Sequence, residues 1–113
     1  MTDYIRLTKA DGTYSVRAAG AVLGESANVI ELHEGTLGPV LYVPREDLAM
    51  AFFDETDFHS SCPHKGDATY YTIQAKSGPI QNAAWSYEDP QDGLERIKGH
   101  LAFYTDKVTL EAV

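Results

Sequence analysis

The sequence predicts a mainly β, antiparallel domain, and two observations point to this fold class. Turn-forming glycines and prolines recur about every eight to twelve residues, a spacing typical of short strands joined by tight turns. The segments between them are rich in β-branched and aromatic residues, which favour the pleated conformation. Seven such segments in 113 residues indicate a barrel, a sandwich or a folded-over sheet.

The predicted strands are bounded by turn signals such as Asp11-Gly12 and Gly78-Pro79. Each contains mainly Val, Ile, Leu, Tyr, Thr or Ala, with polar residues interspersed. In chain order they cover residues 13–17, 29–33, 40–43, 68–75, 79–87, 101–105 and 108–110.

One or two short helices are predicted between the strands. The first begins at Pro44, because proline suits the first turn of a helix, and continues to Phe53. The second covers residues 91–98 and ends at Gly99, which can adopt the left-handed conformation of a helix stop. We interpret the acidic run 54–57 as a solvated loop.

Composition and charge narrow the class of protein. A chain of 113 residues fits one domain, residues 1–113, and buries a core without disulfides or a structural metal. Nine basic against seventeen acidic residues give a formal charge of −8, so we expect no nucleic-acid partner and no membrane partner. The single Cys62 cannot form an intramolecular disulfide, and the first residues lack the basic flank and apolar run of a signal peptide. We therefore expect a cytoplasmic protein. We expect it to be a monomer or a homodimer, and the sequence does not distinguish the two.

The run Cys-Pro-His-Lys-Gly concentrates the chemically versatile residues of the chain. It contains the only cysteine, Cys62, together with His64, Lys65 and Gly66. Cys62 has three interpretations: a buried structural thiol, a metal ligand, or a reactive thiol whose thiolate is favoured by the positive charge of Lys65 and His64. For a reactive thiol, Cys62 is the candidate nucleophile, and His64 or His59 is the candidate proton carrier.

We expect no tightly bound metal and no cofactor. Strong zinc signatures carry paired Cys-x-x-Cys motifs or a His-Glu-x-x-His helix, and neither occurs in the sequence. Glycine-rich phosphate loops, the Gly-x-Ser-x-Gly elbow and the dinucleotide fingerprint do not occur either. The sequence therefore does not match the commonest nucleotide-binding and hydrolase classes.

Aromatic residues on several predicted strands form a second group of candidates. Alternation along a strand places Trp85 and Tyr87 on one face and separates Tyr70 from Tyr71. One interpretation is core packing, with Trp85 largely buried, and the other is an aromatic pocket wall whose hydroxyls orient a ligand. The candidate ligand-binding residues are Tyr42, Lys65, Gly66, Tyr70, Trp85, Tyr87, Arg17 and Arg45.

Six motifs occur along nearly the whole chain in a fixed order. They are Gly24 to Ser26, Glu34, Leu41 to Asp47, Cys62 to Ala68 with Tyr70, Ala84 to Pro90, and Gly99 to Tyr104. This succession resembles the bacterial family known as domain of unknown function 427 (DUF427), whose Cys-Pro-aromatic-Lys-Gly pattern is close to Cys-Pro-His-Lys-Gly.

The resemblance implies a fold as well as a family. It implies an antiparallel β-tent, similar to the Mss-four-like zinc proteins and the B-type methionine sulfoxide reductases, with sheets that lean together and short helices outside. Those relatives carry two Cys-x-x-Cys zinc knuckles, which a chain with one cysteine cannot form. The family also has a nucleotidyltransferase-like name, but the sequence contains no Gly-Ser turn followed by paired metal-binding acids.

Three functions are consistent with these observations. The leading hypothesis is a domain that binds a small polar or anionic metabolite in a pocket around the Cys-Pro-His-Lys-Gly loop. The alternative is a thiol-based enzyme in which Cys62 is a nucleophile or redox residue and Lys65 stabilises its thiolate. The second alternative is a structural or protein-interaction module in which Cys62 is inert.

Overall fold

Antiparallel strands make up most of the chain in the computed structural model, which describes residues 4–113. The prediction of a mainly β domain is confirmed. Within the described residues the ten strands are β1 (Ile5–Lys9), β2 (Tyr14–Ala18), β3 (Ala21–Ser26), β4 (Ile30–Glu34), β5 (Val40–Tyr42), β6 (Phe53–Cys62), β7 (Gly66–Ala75), β8 (Gly78–Tyr87), β9 (Leu101–Phe103) and β10 (Thr109–Ala112).

The strands form three antiparallel sheets. The central sheet has the strand order β6-β7-β8-β9, the front sheet β1-β4-β5 and the back sheet β10-β2-β3. Strands β6, β7 and β8 are each 10 residues long and give the central sheet its length. A short bridge joins the chain after β5 to the central sheet, because Val43 and Leu101 exchange two backbone hydrogen bonds of 2.8 Å.

The two faces of the central sheet contact different hydrophobic cores. Adjacent residues Tyr70 and Tyr71 of β7 lie on opposite faces, as the pleat requires. Tyr71 belongs to the back core, which includes Val16 and Leu23 of the back sheet. Tyr70 belongs to the front core, which includes Leu32 of the front sheet. Strand alternation therefore decides which aromatic residues share the front face.

The predicted helices are reduced to single 3₁₀ turns. These turns cover Arg45–Asp47, Met50–Phe52 and Glu95–Ile97. Between the first two turns, Leu48 is extended (φ −115°, ψ 150°) because it forms an antiparallel bridge with Gly24 of β3. Tertiary pairing thus overrides the local helical preference after Pro44. No helix in residues 4–113 has the length and apolar character needed to cross a bilayer.

Strand β6 is the largest difference from the expectation. Residues 54–57, interpreted from the sequence as a solvated loop, lie in this edge strand. Charged side chains on a free sheet edge oppose pairing with strands of other chains. The acidic residues of β6 therefore protect this edge strand from aggregation. Cys62 ends β6 and pairs with Gly66 at the start of β7, which makes residues 63–65 the turn of a hairpin. Strands β1 and β3 are also absent from the predicted set.

Candidate functional site

Four candidate wall residues converge on the front face of the central sheet. Tyr70 of β7 lies directly opposite Trp85 of β8, and Tyr87 follows two residues later on the same face. Tyr42, at the end of β5, lies over Tyr87 with 6.4 Å between the ring centroids. The Trp85 ring is 6.4 Å from that of Tyr70 and 4.8 Å from that of Tyr104. We call these five residues the tyrosine face.

The tyrosine face is closed at one end and open at the other. Tyr42 is 1% exposed and Tyr87 is 5% exposed, because the front sheet covers them. Tyr104 at the opposite end is 39% exposed. Trp85 lies between them. It packs against the front core, as the core-packing interpretation expects, but it is half-buried rather than largely buried.

Hydrogen bonds connect the polar atoms of this face. The Trp85 indole Nε1–H donates to the Tyr42 hydroxyl at 3.4 Å. The hydroxyls of Ser60 and Tyr70 are 3.0 Å apart, and those of Tyr70 and Tyr104 are 3.5 Å apart. Because each hydroxyl can donate and accept, the row can reorient its hydrogens to match a polar group.

Three tyrosine hydroxyls of this face, those of Tyr42, Tyr87 and Tyr104, keep their protons over a wide pH range. Burial raises the pKa of Tyr42, and burial followed by the nearby Cys62 raises the pKa of Tyr87. The hydrogen bond with Tyr70, followed by burial, raises the pKa of Tyr104 to about 12. These three residues therefore present neutral hydrogen-bond donors at neutral pH, and none of the three is a phenolate base.

The hairpin turn directs Lys65 to a carboxylate of the front sheet. Gly66 adopts a φ of 116°, a conformation that favours glycine, and the Lys65 amide donates to the Cys62 carbonyl at 3.2 Å. The Lys65 ammonium donates to Oε1 of Glu34 at 2.6 Å, and the two side chains are only 14% and 16% exposed. Burial alone would lower the pKa of Lys65, but the hydrogen bond with Glu34, together with the nearby Cys62 and Tyr42, raises it. The charge of Lys65 is thus already neutralised by the protein.

Cys62 lies next to this ion pair. It is half-buried at the end of β6 and belongs to neither the front core nor the back core. Its thiol is close enough to Lys65 and Tyr87 to contribute to the raised pKa of both residues. Cys62 is therefore a partly exposed thiol at the edge of the tyrosine face.

The two candidate arginines do not reach the tyrosine face. Arg17 is exposed on β2 of the back sheet. Arg45 lies on the back face of the central sheet, where its guanidinium is 5.8 Å from the Tyr71 ring centroid and 2.7 Å from the Glu88 carboxylate. The positive charge expected from these residues is consequently absent from the tyrosine face.

Three clefts open around the hairpin and the tyrosine face. The turn cleft, of about 350 Å³, is lined by His64 together with residues of β1 and of the segment 92–96. The acidic cleft, of about 620 Å³, is lined by Gly66, His59 and the carboxylates of Asp67, Glu88, Asp89 and Asp92. The tryptophan cleft, of about 340 Å³, is lined by Trp85, Tyr104 and residues 39–41. His59 and Gly66 thus line one cleft, and His64 and Trp85 line the other two.

Within the described range 4–113, no three His, Cys, Asp or Glu side chains group closely enough to hold a metal ion. His64 is exposed, and its ring is 5.2 Å from that of Tyr4, while His59 is exposed on β6. The expectation of no bound zinc and no cofactor stays a prediction that elemental analysis of the purified protein can test.

Three further residues complete the site beyond the candidates chosen from the sequence. Glu34 neutralises Lys65, and Ser60 and Tyr104 extend the hydroxyl row. Ser60 lies two residues before Cys62, so alternation would have placed both on one face had β6 been recognised as a strand. The partner of Lys65 is 31 residues away in sequence, and no local pattern identifies it.

The fold and the site together define an all-β domain with a hydroxyl-rich aromatic face beside a lysine–glutamate ion pair. Residues 6–113 match the family described as a domain of unknown function, DUF427, and the chain belongs to this family. The resemblance drawn from the six sequence motifs is confirmed. No curated protein matches the chain.

Proposed function

We propose that this domain binds a small polar molecule on the tyrosine face, next to the hairpin turn that carries Cys62 and Lys65. The observation that carries the proposal is the convergence of neutral hydroxyl donors, a Trp85 ring and a shielded ion pair on one face. Exposed Tyr104 marks the end from which a ligand enters, and buried Tyr42 marks the closed end.

The Lys65–Glu34 pair favours a neutral polar ligand over a simple anion. An anion would compete with Glu34 for Lys65, because the two side chains are already 2.6 Å apart. An ammonium group has three N–H donors, so a hydroxyl or carbonyl oxygen can accept from Lys65 without displacing Glu34. Because Glu34 already neutralises Lys65, a neutral polar metabolite suits this site better than an anionic one.

The aromatic rings add a shape requirement. Tyrosine and tryptophan combine an apolar ring with a polar tip, so they suit a ligand that has both kinds of surface. Half-buried Trp85 and exposed Tyr104 present such rings at the open end, with 4.8 Å between their centroids. A monosaccharide or a small amide has the required combination of an apolar surface and neutral polar groups.

Two unique reporters make this proposal testable. Trp85 is the only tryptophan and Cys62 the only cysteine in the chain. We would add monosaccharides, primary amides, carboxylates and phosphate in turn to ¹⁵N-labelled protein. We expect a monosaccharide or amide to shift the Trp85 indole N–H resonance and, at the same concentration, to slow alkylation of Cys62 by iodoacetamide.

A matched pair of variants controls the experiment. Tyr104→Phe removes one hydroxyl from the open end and should weaken binding by about five- to tenfold, the value of one hydrogen bond. Tyr14→Phe removes a hydroxyl from a half-buried tyrosine of the back sheet and should leave binding unchanged. The proposal is wrong if no probe affects Trp85 and Cys62 together, or if the two variants behave alike.

A second candidate function is thiol chemistry at Cys62, and the closeness of Lys65 to a partly exposed thiol favours it. An activated thiol should alkylate rapidly below pH about 8.5, the ordinary pKa of cysteine. Lys65→Met should then move the midpoint of the rate profile to higher pH, whereas the exposed-lysine variant Lys76→Met should not. A native midpoint at or above the ordinary value excludes this candidate.

A further inference from the structure

The turn cleft combines an apolar floor with a charged rim, and the tyrosine face uses neither. Ile5 and Leu7 of β1 form the floor together with Leu94, and all three contact or belong to the front core. Asp92 and Arg96 lie on the rim. A volume of about 350 Å³ is close to the lower limit for small-molecule sites, so the cleft suits a ligand of few atoms.

The two rim charges are opposite and unmatched. Among residues 4–113, neither Asp92 nor Arg96 forms an ion pair, with each other or with a third residue. Nη1 of Arg96 donates one long hydrogen bond, 3.4 Å, to the Leu7 carbonyl. This contact holds the guanidinium near β1 and leaves other N–H donors for a ligand.

We propose that the turn cleft binds a free α-amino acid with an aliphatic side chain. The ligand carboxylate pairs with Arg96, whose planar guanidinium offers two parallel N–H donors to a carboxylate. The ligand ammonium pairs with Asp92. The aliphatic side chain lies on Ile5, Leu7 and Leu94, where it loses contact with water.

A zwitterion fits this cleft better than a ligand of one charge. A simple carboxylate would satisfy Arg96 and meet repulsion from Asp92 in the same cleft, and a simple amine would meet repulsion from Arg96. No residue of the tyrosine face lines the turn cleft, so this site is separate from that of the proposed function.

L-leucine and two analogues test the inference. 4-Methylpentanoate keeps the side chain, the α-carbon and the carboxylate, and isoamylamine keeps the side chain, the α-carbon and the amine. Each would be titrated to about 10 mM into ¹⁵N-labelled protein, which covers millimolar dissociation constants, while the Gly93 and Arg96 amide resonances are followed. We expect leucine to bind at least about tenfold more tightly than either analogue, because each lost charged hydrogen bond costs that much.

Charge-removing variants identify the residues. Arg96→Met should abolish the preference for leucine over isoamylamine, and Asp92→Asn should abolish the preference over 4-methylpentanoate. Exposed Arg6→Met and Asp106→Asn remove the same charges outside the cleft and should change neither preference. The inference is overturned if leucine does not bind, if an analogue binds equally well, or if leucine shifts the Trp85 indole instead of Gly93. The last result would place an amino acid on the tyrosine face and leave the proposed function standing.

Discussion

The central sheet carries a cation–carboxylate pair on each face, and the two pairs differ in how completely the protein uses them. On the back face, Arg45 pairs with Glu88 beside Tyr71. On the front face, Lys65 pairs with Glu34 beside the tyrosine face. The back pair is 37% and 42% exposed, and the front pair is 14% and 16% exposed, so the shielded pair is the one next to the thiol.

The back pair is a structural clamp. Nη2 of Arg45 donates to Glu88 at 2.7 Å, and Nε donates to the Gly99 carbonyl at 2.7 Å. The Tyr71 hydroxyl donates to the same Glu88 oxygen at 2.8 Å. Burial alone would lower the pKa of Arg45, but Tyr71 and Glu88 raise it. The planar guanidinium therefore ties the turn after β5 to the chain that follows β8.

Within residues 4–113, the side chains of Lys65 and Glu34 form one hydrogen bond, with each other, and keep capacity to bind further groups. An ammonium is a compact charge with three donors, and Lys65 uses one of its own on Glu34. The Cys62 thiol and the Tyr42 hydroxyl are close enough to raise the pKa of Lys65, and in the described part of the chain Lys65 donates its side-chain hydrogen bond to neither of them. A hydrogen-bond network whose groups are all paired thus holds the fold, while a shielded and partly used network suits a ligand.

The largest effect is expected for Gly24→Ala, which disturbs the back clamp. A Cβ on Gly24 would collide with the backbone carbonyl of Asp47, in the turn that presents Arg45. Backbone cannot move aside cheaply, so we expect Gly24→Ala to lower the free energy of unfolding by about 3 kcal/mol. Urea denaturation measures this change. The native alkylation rate of Cys62 should stay the same, since the front face is not disturbed.

Gly38→Ala is the matched control for that variant. No heavy atom lies within 4 Å of a Cβ built on Gly38, and its φ is not in the left-handed region. We expect its free energy of unfolding to stay within about 0.5 kcal/mol of the natural protein. Equal effects of the two substitutions would show that the Asp47 contact does not restrict residue 24.

The next largest effect is expected for Lys65→Met, which removes the cation of the front pair. Lys65→Met leaves the Glu34 carboxylate shielded and unpaired. We expect the free energy of unfolding to fall by about 2 kcal/mol, a value between those typical of breaking an exposed and a fully buried ion pair. Adding Glu34→Gln removes the stranded charge and should restore about half of the loss. A loss below about 0.5 kcal/mol for Lys65→Met would mean that water already solvates Glu34.

A smaller effect is expected for Arg45→Lys, which keeps the charge of residue 45 but removes the planar guanidinium. Arg45→Lys keeps the charge but cannot reach both Glu88 and Gly99, so we expect a loss of about 1 kcal/mol for the missing hydrogen bond. Arg17→Lys, on an exposed residue of β2, should be neutral. Thermal unfolding of the two variants distinguishes a clamp from a simple ion pair, because a simple pair would tolerate lysine at residue 45.

Local pattern predicted the parts of the fold that are half-buried. The alternation in 68–75 and 79–87 corresponds to β7 and β8, and it separates Tyr70 from Tyr71 as observed. It did not predict β6, because charged residues on an edge strand look like a loop. It predicted a helix after Pro44, where a bridge to β3 imposes extended backbone at Leu48.

The same limit applies to the site. Cys62, Lys65 and Gly66 are close in sequence, so a hairpin turn brings them together without long-range information. The charge balance depends on contacts between distant segments. Glu34 is 31 residues from Lys65, and Glu88 is 43 residues from Arg45. Sequence alone therefore assigns Lys65 and Arg45 the same role as cations for a ligand, and only the folded chain separates them.

The smallest expected effect concerns the open end of the tyrosine face at alkaline pH. The pKa of Tyr104 is raised to about 12, first by its hydrogen bond with Tyr70 and then by burial. An unfolded tyrosine has a pKa of about 10, so between these values the native state holds a proton that the unfolded state has lost. The stabilisation from Tyr104 is thus complete below about pH 10 and disappears as the pH rises through 12. Tyr70→Phe removes the hydroxyl that restrains this ionisation, and Tyr104→Phe removes the ionising group. Urea midpoints at about pH 8 and about pH 11 should therefore fall less with pH in Tyr104→Phe than in the natural protein. If Tyr104→Phe and the natural protein lose stability in parallel as the pH rises, the Tyr70–Tyr104 hydrogen bond does not form in solution. The open end of the face is then less ordered than its closed end.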